Sequence, residues 1–132
     1  MLNYKEQLES NITMSALDMV RHSLFMAWFV PNSMIAIISP SFDSCKVVAN
    51  TLWNEHASVP DWVRPKLTHK NYGQATLDNG SRLKFMHSTN HLKGVSLSMV
   101  MIDRRVDLND EWLYSLLPSI THGAKASITF FA

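Results

Sequence analysis

Leu97-Ser98-Met99-Val100-Met101-Ile102-Asp103-Arg104-Arg105 is the stretch on which the fold is decided. From Leu97 to Ile102 the run is apolar apart from Ser98 and does not alternate, the pattern of a strand covered on both faces. It then delivers a carboxylate, Asp103, to its C-terminal tip. A lone carboxylate holds Mg²⁺ weakly unless phosphate oxygens share the ion. Because two arginines follow Asp103 directly, the sequence predicts an internal salt bridge or a solvated strand end at this point rather than an ion site.

Two further apolar runs have the same character. Met34-Ile35-Ala36-Ile37-Ile38, bounded by Pro40, reads as a strand buried on both faces, and Ser127-Ile128-Thr129-Phe130-Phe131 reads as another. Ahead of the first, residues Thr13 to Phe29 carry Leu17, Val20, Leu24, Ala27 and Trp28 at helical spacing. The second half of that helix, through Leu24, Phe25, Met26, Trp28 and Phe29, is apolar nearly all round, which predicts a helix end sandwiched between layers. Pro31-Asn32 ends it.

A second helix is expected over about Ser44 to Glu55, capped by Ser41 or Asp43, with Val47, Val48, Leu52 and Trp53 on its core side. Pro60 and Pro65 break the next stretch, where Val59, Trp62, Val63 and Leu67 are expected to pin a loop or short helix to the body. Ala75-Thr76-Leu77 and Arg82-Leu83-Lys84-Phe85-Met86 flank Asp78-Asn79-Gly80-Ser81, and the Asn-Gly pair suits the positive φ angles of a tight hairpin. Asn109 or Asp110 is placed to cap a short helix holding Trp112, Leu113, Leu116 and Leu117, closed by Pro118. Helices alternating with apolar strands predict an α/β fold: a small, mainly parallel sheet flanked by helices, with one β-hairpin.

At 132 residues with 46% hydrophobic and 17% charged side chains, residues 1–132 are expected to form one domain around one core. Lys and Arg number 12 against 11 Asp and Glu, so the net charge of +1 exerts no global pull on nucleic acid or anionic lipid; such binding has to be local. The single cysteine, Cys45, cannot form an internal disulfide, and the polar opening Asn3-Tyr4-Lys5-Glu6-Gln7 carries no signal pattern. An intracellular setting is expected. The longest apolar stretch, Leu24 to Val30, is far short of the ~18 to 20 residues of a membrane span.

Taken in order, Ile35 to Pro40, Asp78-Asn79-Gly80-Ser81, Leu92-Lys93-Gly94-Val95-Ser96, the Met99 to Asp103 strand, Glu111-Trp112-Leu113 and Ser127-Ile128-Thr129 resemble the ATPase domain of the large terminase subunit, the DNA-packaging motor of tailed bacteriophages. The likeness runs from about Met14 to Ala132 and implies a cut-down P-loop ATPase core. In that family the first helix follows a phosphate-binding loop of the Gly-Lys-Ser/Thr type. Here the helix start reads Asn11-Ile12-Thr13-Met14-Ser15-Ala16-Leu17, with neither the glycine that permits the backbone cradle nor the lysine that meets the β- and γ-phosphates. Met1 to Ser10 are too polar and too few to supply the strand that precedes such a loop.

The family's magnesium strand ends in Asp followed by a Glu that activates water; this chain keeps Asp103 and has Arg104 in place of the Glu. The family's threonine run after the last strand, which couples ATP state to movement, is matched only by Thr129-Phe130-Phe131-Ala132, and its nuclease domain has no counterpart. The resemblance therefore implies a non-enzymatic protein with a vestigial site at Asp103 and Arg104, no cofactor and no metal. It implies a phage or prophage protein in the cytoplasm of an infected or lysogenic bacterium. Such a protein would act by binding a terminase or portal component, or itself, and so regulate or imitate packaging. The family's phosphate-loop strand lies beside the final strand, so its loss implies that Ser127 to Phe131 form an exposed edge. Ile128, Phe130 and Phe131 would then favour strand pairing or a homodimer.

Other residues offer alternatives. Lys66, His69, Lys70, Arg82 and Lys84 could form a basic patch beside the hairpin, with Tyr72 as a stacking surface and Lys93 added, making a nucleic-acid- or nucleotide-binding module without hydrolysis. Phe25 and Trp28 are candidate interface residues, because excess apolar surface marks interaction faces. The histidines His22, His56, His69, His87, His91 and His122 show no zinc-like grouping; His87 and His91 are four apart but fall in a polar loop. Cys45, with no paired base in its neighbourhood, reads as a half-buried structural thiol. A folded gene remnant without a role is the remaining alternative.

Overall fold

A computed structural model describes residues 13–87, 97–107 and 127–132. Its sheet is seven-stranded, ordered β1-β7-β6-β2-β5-β4-β3. The strands are β1 (Thr13–Met14), β2 (Met34–Ile38), β3 (Leu67–Lys70), β4 (Gln74–Leu77), β5 (Arg82–Met86), β6 (Met99–Asp103) and β7 (Ser127–Phe131). Helix α1 (Ala16–Phe29) joins β1 to β2, and α2 (Phe42–Ala57) follows β2. From β1 to β5 across the sheet all neighbours run parallel, while β5, β4 and β3 form an antiparallel meander. The expected α/β fold with a mainly parallel sheet is present.

Both continuous apolar runs do what their lack of alternation implies. Odd-numbered Ile35, Ile37, Met99 and Met101 face one layer with α1 and α2, while Ala36, Ile38, Val100 and Ile102 build a second cluster on the opposite face with Met86 and Phe130. Register is set by the pairs Ile35↔Met99 and Ile37↔Met101, which keep each strand's alternate residues on a common face.

The helices begin where capping chemistry puts them. Ser15 Oγ accepts from the amide of Asp18 at 3.1 Å, and Ser41 Oγ accepts from the amide of Ser44 at the same distance. Thr13 and Met14, expected in the first helix, instead form β1, because their backbone pairs with Phe130 and Phe131. The buried stripe of α2 is Cys45, Val48, Ala49, Leu52 and His56, so Val47 faces solvent and not the core side expected of it. The apolar end of α1 is not sandwiched: Phe25 and Phe29 are 61% and 59% exposed, their rings 4.7 Å apart. α2 shields only the inner side of this helix.

The Asn-Gly hairpin forms between β4 and β5, but only Gly80 takes a positive φ, of 87°. The Gly80 amide donates to Leu77 O and the Leu77 amide to Ser81 O, giving a three-residue loop that ends in a left-handed glycine. Asn79 is held elsewhere: its Nδ2 donates to the carbonyls of Ala27 and Trp28, tying the loop to the end of α1. The stretch after Pro65 adds an unforeseen strand, β3. Asn71 Oδ1 accepts from the amides of Gly73 and Gln74 and so makes the turn from β3 into β4. Trp62, in the short helical turn Asp61–Val63, is exposed and pins nothing. The helix expected near Trp112 lies outside the described residues, as does Lys93.

Candidate functional site

The carboxyl ends of the parallel strands open on one edge of the sheet, where open α/β proteins bind ligands. At the β6 and β7 end is a depression of 490 Å³ lined by Ala16, Asp43, Ser44, Val47, Val48, Asp103, Arg105, Phe131 and Ala132. Asp103 reaches it from the tip of β6, its side chain only 5% exposed. Both of its oxygens are engaged. Oδ1 accepts from the Arg105 amide at 2.8 Å and from Arg105 Nε at 3.1 Å, and Oδ2 accepts from Arg105 Nη2 at 2.9 Å. The pairing raises the already high pKa of Arg105, through the hydrogen bond first and the carboxylate charge second.

The described contacts of Arg104 lie at β1 and β7. Its amide donates to Phe131 O at 2.9 Å, its Nε donates to Thr13 Oγ1 at 2.6 Å, and its guanidinium lies 4.0 Å from the centre of the Phe130 ring. Arg104 therefore fastens β1 to β7 and Arg105 neutralises Asp103. Of the two expectations at Asp103, an internal salt bridge or a solvated strand end, the structure has the salt bridge, and the partner is the second arginine.

The start of α1 offers little to an anion. Ser15 alone separates Met14 of β1 from Ala16 of α1. The Ala16 amide donates to Ala132 O at 3.1 Å and the Asp18 amide to Ser15 Oγ, so two of the first amides of the helix already have protein acceptors.

The expected exposed edge is corrected by β1. It covers the C-terminal end of the outer side of β7, pairing Thr13 with Phe130 and Met14 with Phe131, and both phenylalanines are buried, one in each core cluster. Ile128 is half-buried against the second cluster. A two-residue strand of this kind leaves almost no sequence signal, because strand patterning needs several alternating or continuous apolar positions. Of the candidate interface residues on α1, Phe25 is exposed, whereas Trp28 is partly buried and donates from Nε1 to His56 Nδ1 at 3.0 Å.

The basic group does not converge as one patch. Lys66 immediately precedes β3 and Arg82 begins β5, both near the Asn-Gly loop. Lys70 ends β3 at the opposite end of the meander, and its Nζ lies 4.9 Å from the centre of the Trp53 ring. Lys84 lines a second depression, of 420 Å³, together with Phe42, Tyr72, Gly73, Gln74, Phe85, Met86 and His87. Phe42, Lys46 and His87 lie outside the basic group that the sequence offers for a nucleic-acid contact. Phe42 and Lys46 carry a recognisable signal all the same, an aromatic and a cation four residues apart on one helix face.

Cys45 is fully buried rather than half-buried, and burial pushes its thiol pKa up, which disfavours the nucleophilic thiolate. Among the described residues no three His, Cys, Asp or Glu side chains gather as metal ligands, and no helix is long and apolar enough to cross a membrane.

Fold and edge together define an open α/β protein with its crevice outside the carboxyl ends of parallel strands. No protein-family profile and no curated protein matches the chain. Among solved structures, the ATPase domain of the Thermus phage P74-26 large terminase superposes with a TM-score of 0.69 at 14% identity, over 89% of this chain and 54% of that one. The large terminase of bacteriophage HK97 gives 0.70 at 13% identity, over 92% of this chain and 28% of that one. The large terminase of the thermophilic bacteriophage D6E, solved with ADP, gives 0.62 at 9% identity, over 89% and 29%. The chain thus has the fold of phage large terminase ATPase domains and spans about half of the ATPase-domain structure and under a third of the two full terminases. At such identities the shared property is the fold.

Proposed function

We propose that this is a terminase-like phage protein without hydrolytic activity, acting by binding within viral DNA packaging in a bacterial host's cytoplasm. The observation that carries this reading is the closed pairing of Asp103 with Arg105. A carboxylate whose two oxygens face a guanidinium is neutralised by that cation from within the chain, and Mg²⁺ would have to displace it. The one-residue connection through Ser15 supports the same reading, since a phosphate cradle of the Gly-Lys-Ser/Thr type spans several residues between strand and helix. Arg104, at the position of the water-activating Glu, carries the wrong charge to accept a proton.

A protein that keeps the scaffold without the chemistry acts through its surface. The exposed rings of Phe25 and Phe29 supply an apolar surface suited to a terminase or portal component, or to a second copy, and they replace the final strand as the candidate contact. Calorimetric titration with MgATP, alongside a phosphate-release assay, tests the reading: neither heat of binding nor turnover is expected. Magnesium-dependent hydrolysis that disappears in Asp103→Ala would overturn it.

A further inference from the structure

The second depression lies at the far end of the same edge and has a chemistry of its own. Its walls come from the first turn of α2, the β3–β4 turn and the end of β5. Phe42 and His87 meet edge to face with centroids 6.1 Å apart. Tyr72 stacks on Trp53 at 5.3 Å and 29°, so that ring is backed and held in place. Phe42 is nevertheless 52% exposed and Tyr72 38%. Among cations, Lys46 Nζ lies 5.6 Å from the Phe42 centroid and 5.4 Å from that of Tyr72, Lys70 sits over Trp53, and Lys84 lines the wall.

None of the described lining residues is acidic, and Asp43, beside Phe42 in the chain, lines the other depression instead. Accessible rings beside amines form the combination that single-stranded nucleic acid requires: bases stack on rings while lysines track phosphates. A duplex keeps its base faces stacked internally and would leave the rings unused. We propose that this cleft binds single-stranded nucleic acid, a base stacking against Phe42 or Tyr72 and the flanking phosphates meeting Lys46, Lys70 and Lys84. The proposal is independent of whether ATP is hydrolysed.

Fluorescence anisotropy with labelled oligo-dT and oligo-U of roughly 12 nucleotides, and with a duplex of the same length, tests this over about 50 to 200 mM salt. The strands are expected to bind more tightly than the duplex, and Phe42→Leu and Tyr72→Ala to weaken strand binding by about 5- to 100-fold. Lys46→Gln should lower the salt slope by about 0.7. Lys66→Gln and Arg82→Gln, at the other end of the meander, should leave affinity within about twofold, as surface changes outside the contact do. Equal binding of dT and U, or a preference for one, is consistent with the cleft and distinguishes DNA from RNA as its strand. No strand binding at low salt, a preference for duplex, or binding that survives both ring substitutions would overturn it. Phe42→Leu keeps an apolar side chain at a half-exposed position, so loss of binding there reports the ring and not the fold.

Discussion

The two depressions on the carboxyl edge of the sheet share a wall from the start of α2, yet they treat their polar groups in opposite ways. Around Asp103 the groups at the strand tip are matched from within the chain: the carboxylate by Arg105, Arg104 by Thr13 and Phe130, and the Ala16 amide by Ala132. Around Phe42 and Tyr72 the rings remain accessible and the amines of Lys46 and Lys70 are placed over ring faces with no described carboxylate bonded to them. A position at the mouth of a parallel sheet is therefore not enough to make a ligand site. What matters is whether the groups displayed there still have bonding capacity to offer.

Aromatic substitutions should expose that contrast most sharply. Phe131 lines the first depression but is buried in the core, so Phe131→Ala is expected to cost about 3–5 kcal/mol in urea unfolding. Phe42→Ala, at the half-exposed ring of the second, should stay within about 0.5 kcal/mol while impairing strand binding. Equal losses of stability would mean that both depressions are structural.

Acid should act on the framework that both depressions share. His56, in the last turn of α2, faces Trp28 of α1, and burial first and the Arg64 charge second push its pKa from 6.5 down to about 4. Its Nδ1 accepts from Trp28, and its buried Nε2 has no hydrogen-bond partner among the described residues. The unfolded chain, with the ordinary pKa, binds the proton more readily than the folded one. The stabilisation is thus complete above pH 6.5 and is lost as pH falls through 6.5 towards 4, by an amount on the order of 3 kcal/mol at most. Urea midpoints measured across that range should fall, and His56→Leu should flatten the curve. A flat curve for the unmodified protein would show that His56 is not held neutral.

A smaller effect is expected at the opposite edge. Gly80 has a φ of 87°, and a Cβ there would run into the Asn32 side chain. Gly80→Ala should cost about 1–3 kcal/mol in thermal or urea unfolding. Because this loop is remote from both depressions, the folded variant should bind strands normally; weakened binding by folded Gly80→Ala would tie the cleft to the hairpin loop.

Legibility followed the range of the interactions involved. Met34 to Ile38, Ser127 to Phe131 and the arms of the Asn-Gly hairpin could be read from the chain because continuous apolar runs and turn residues encode strands locally. The α2 cap, narrowed to Ser41 or Asp43, and the Asp103 pairing, narrowed to a salt bridge or a solvated strand end, were legible for the same reason, their partners lying within three residues. The edge cover was not readable: β1 is two residues long and exists because Phe130 and Phe131, more than a hundred positions away in the chain, offer it a backbone to pair with. Nor could sequence settle which arginine meets Asp103, since that depends on Arg104 being drawn across β7 to Thr13. The aromatic cleft likewise draws on α2, the β3–β4 turn and β5. Periodicity and capping chemistry are set by near neighbours, so the α/β alternation was determined by sequence; which polar groups are silenced and which stay available was decided only when distant strands and turns met along one edge.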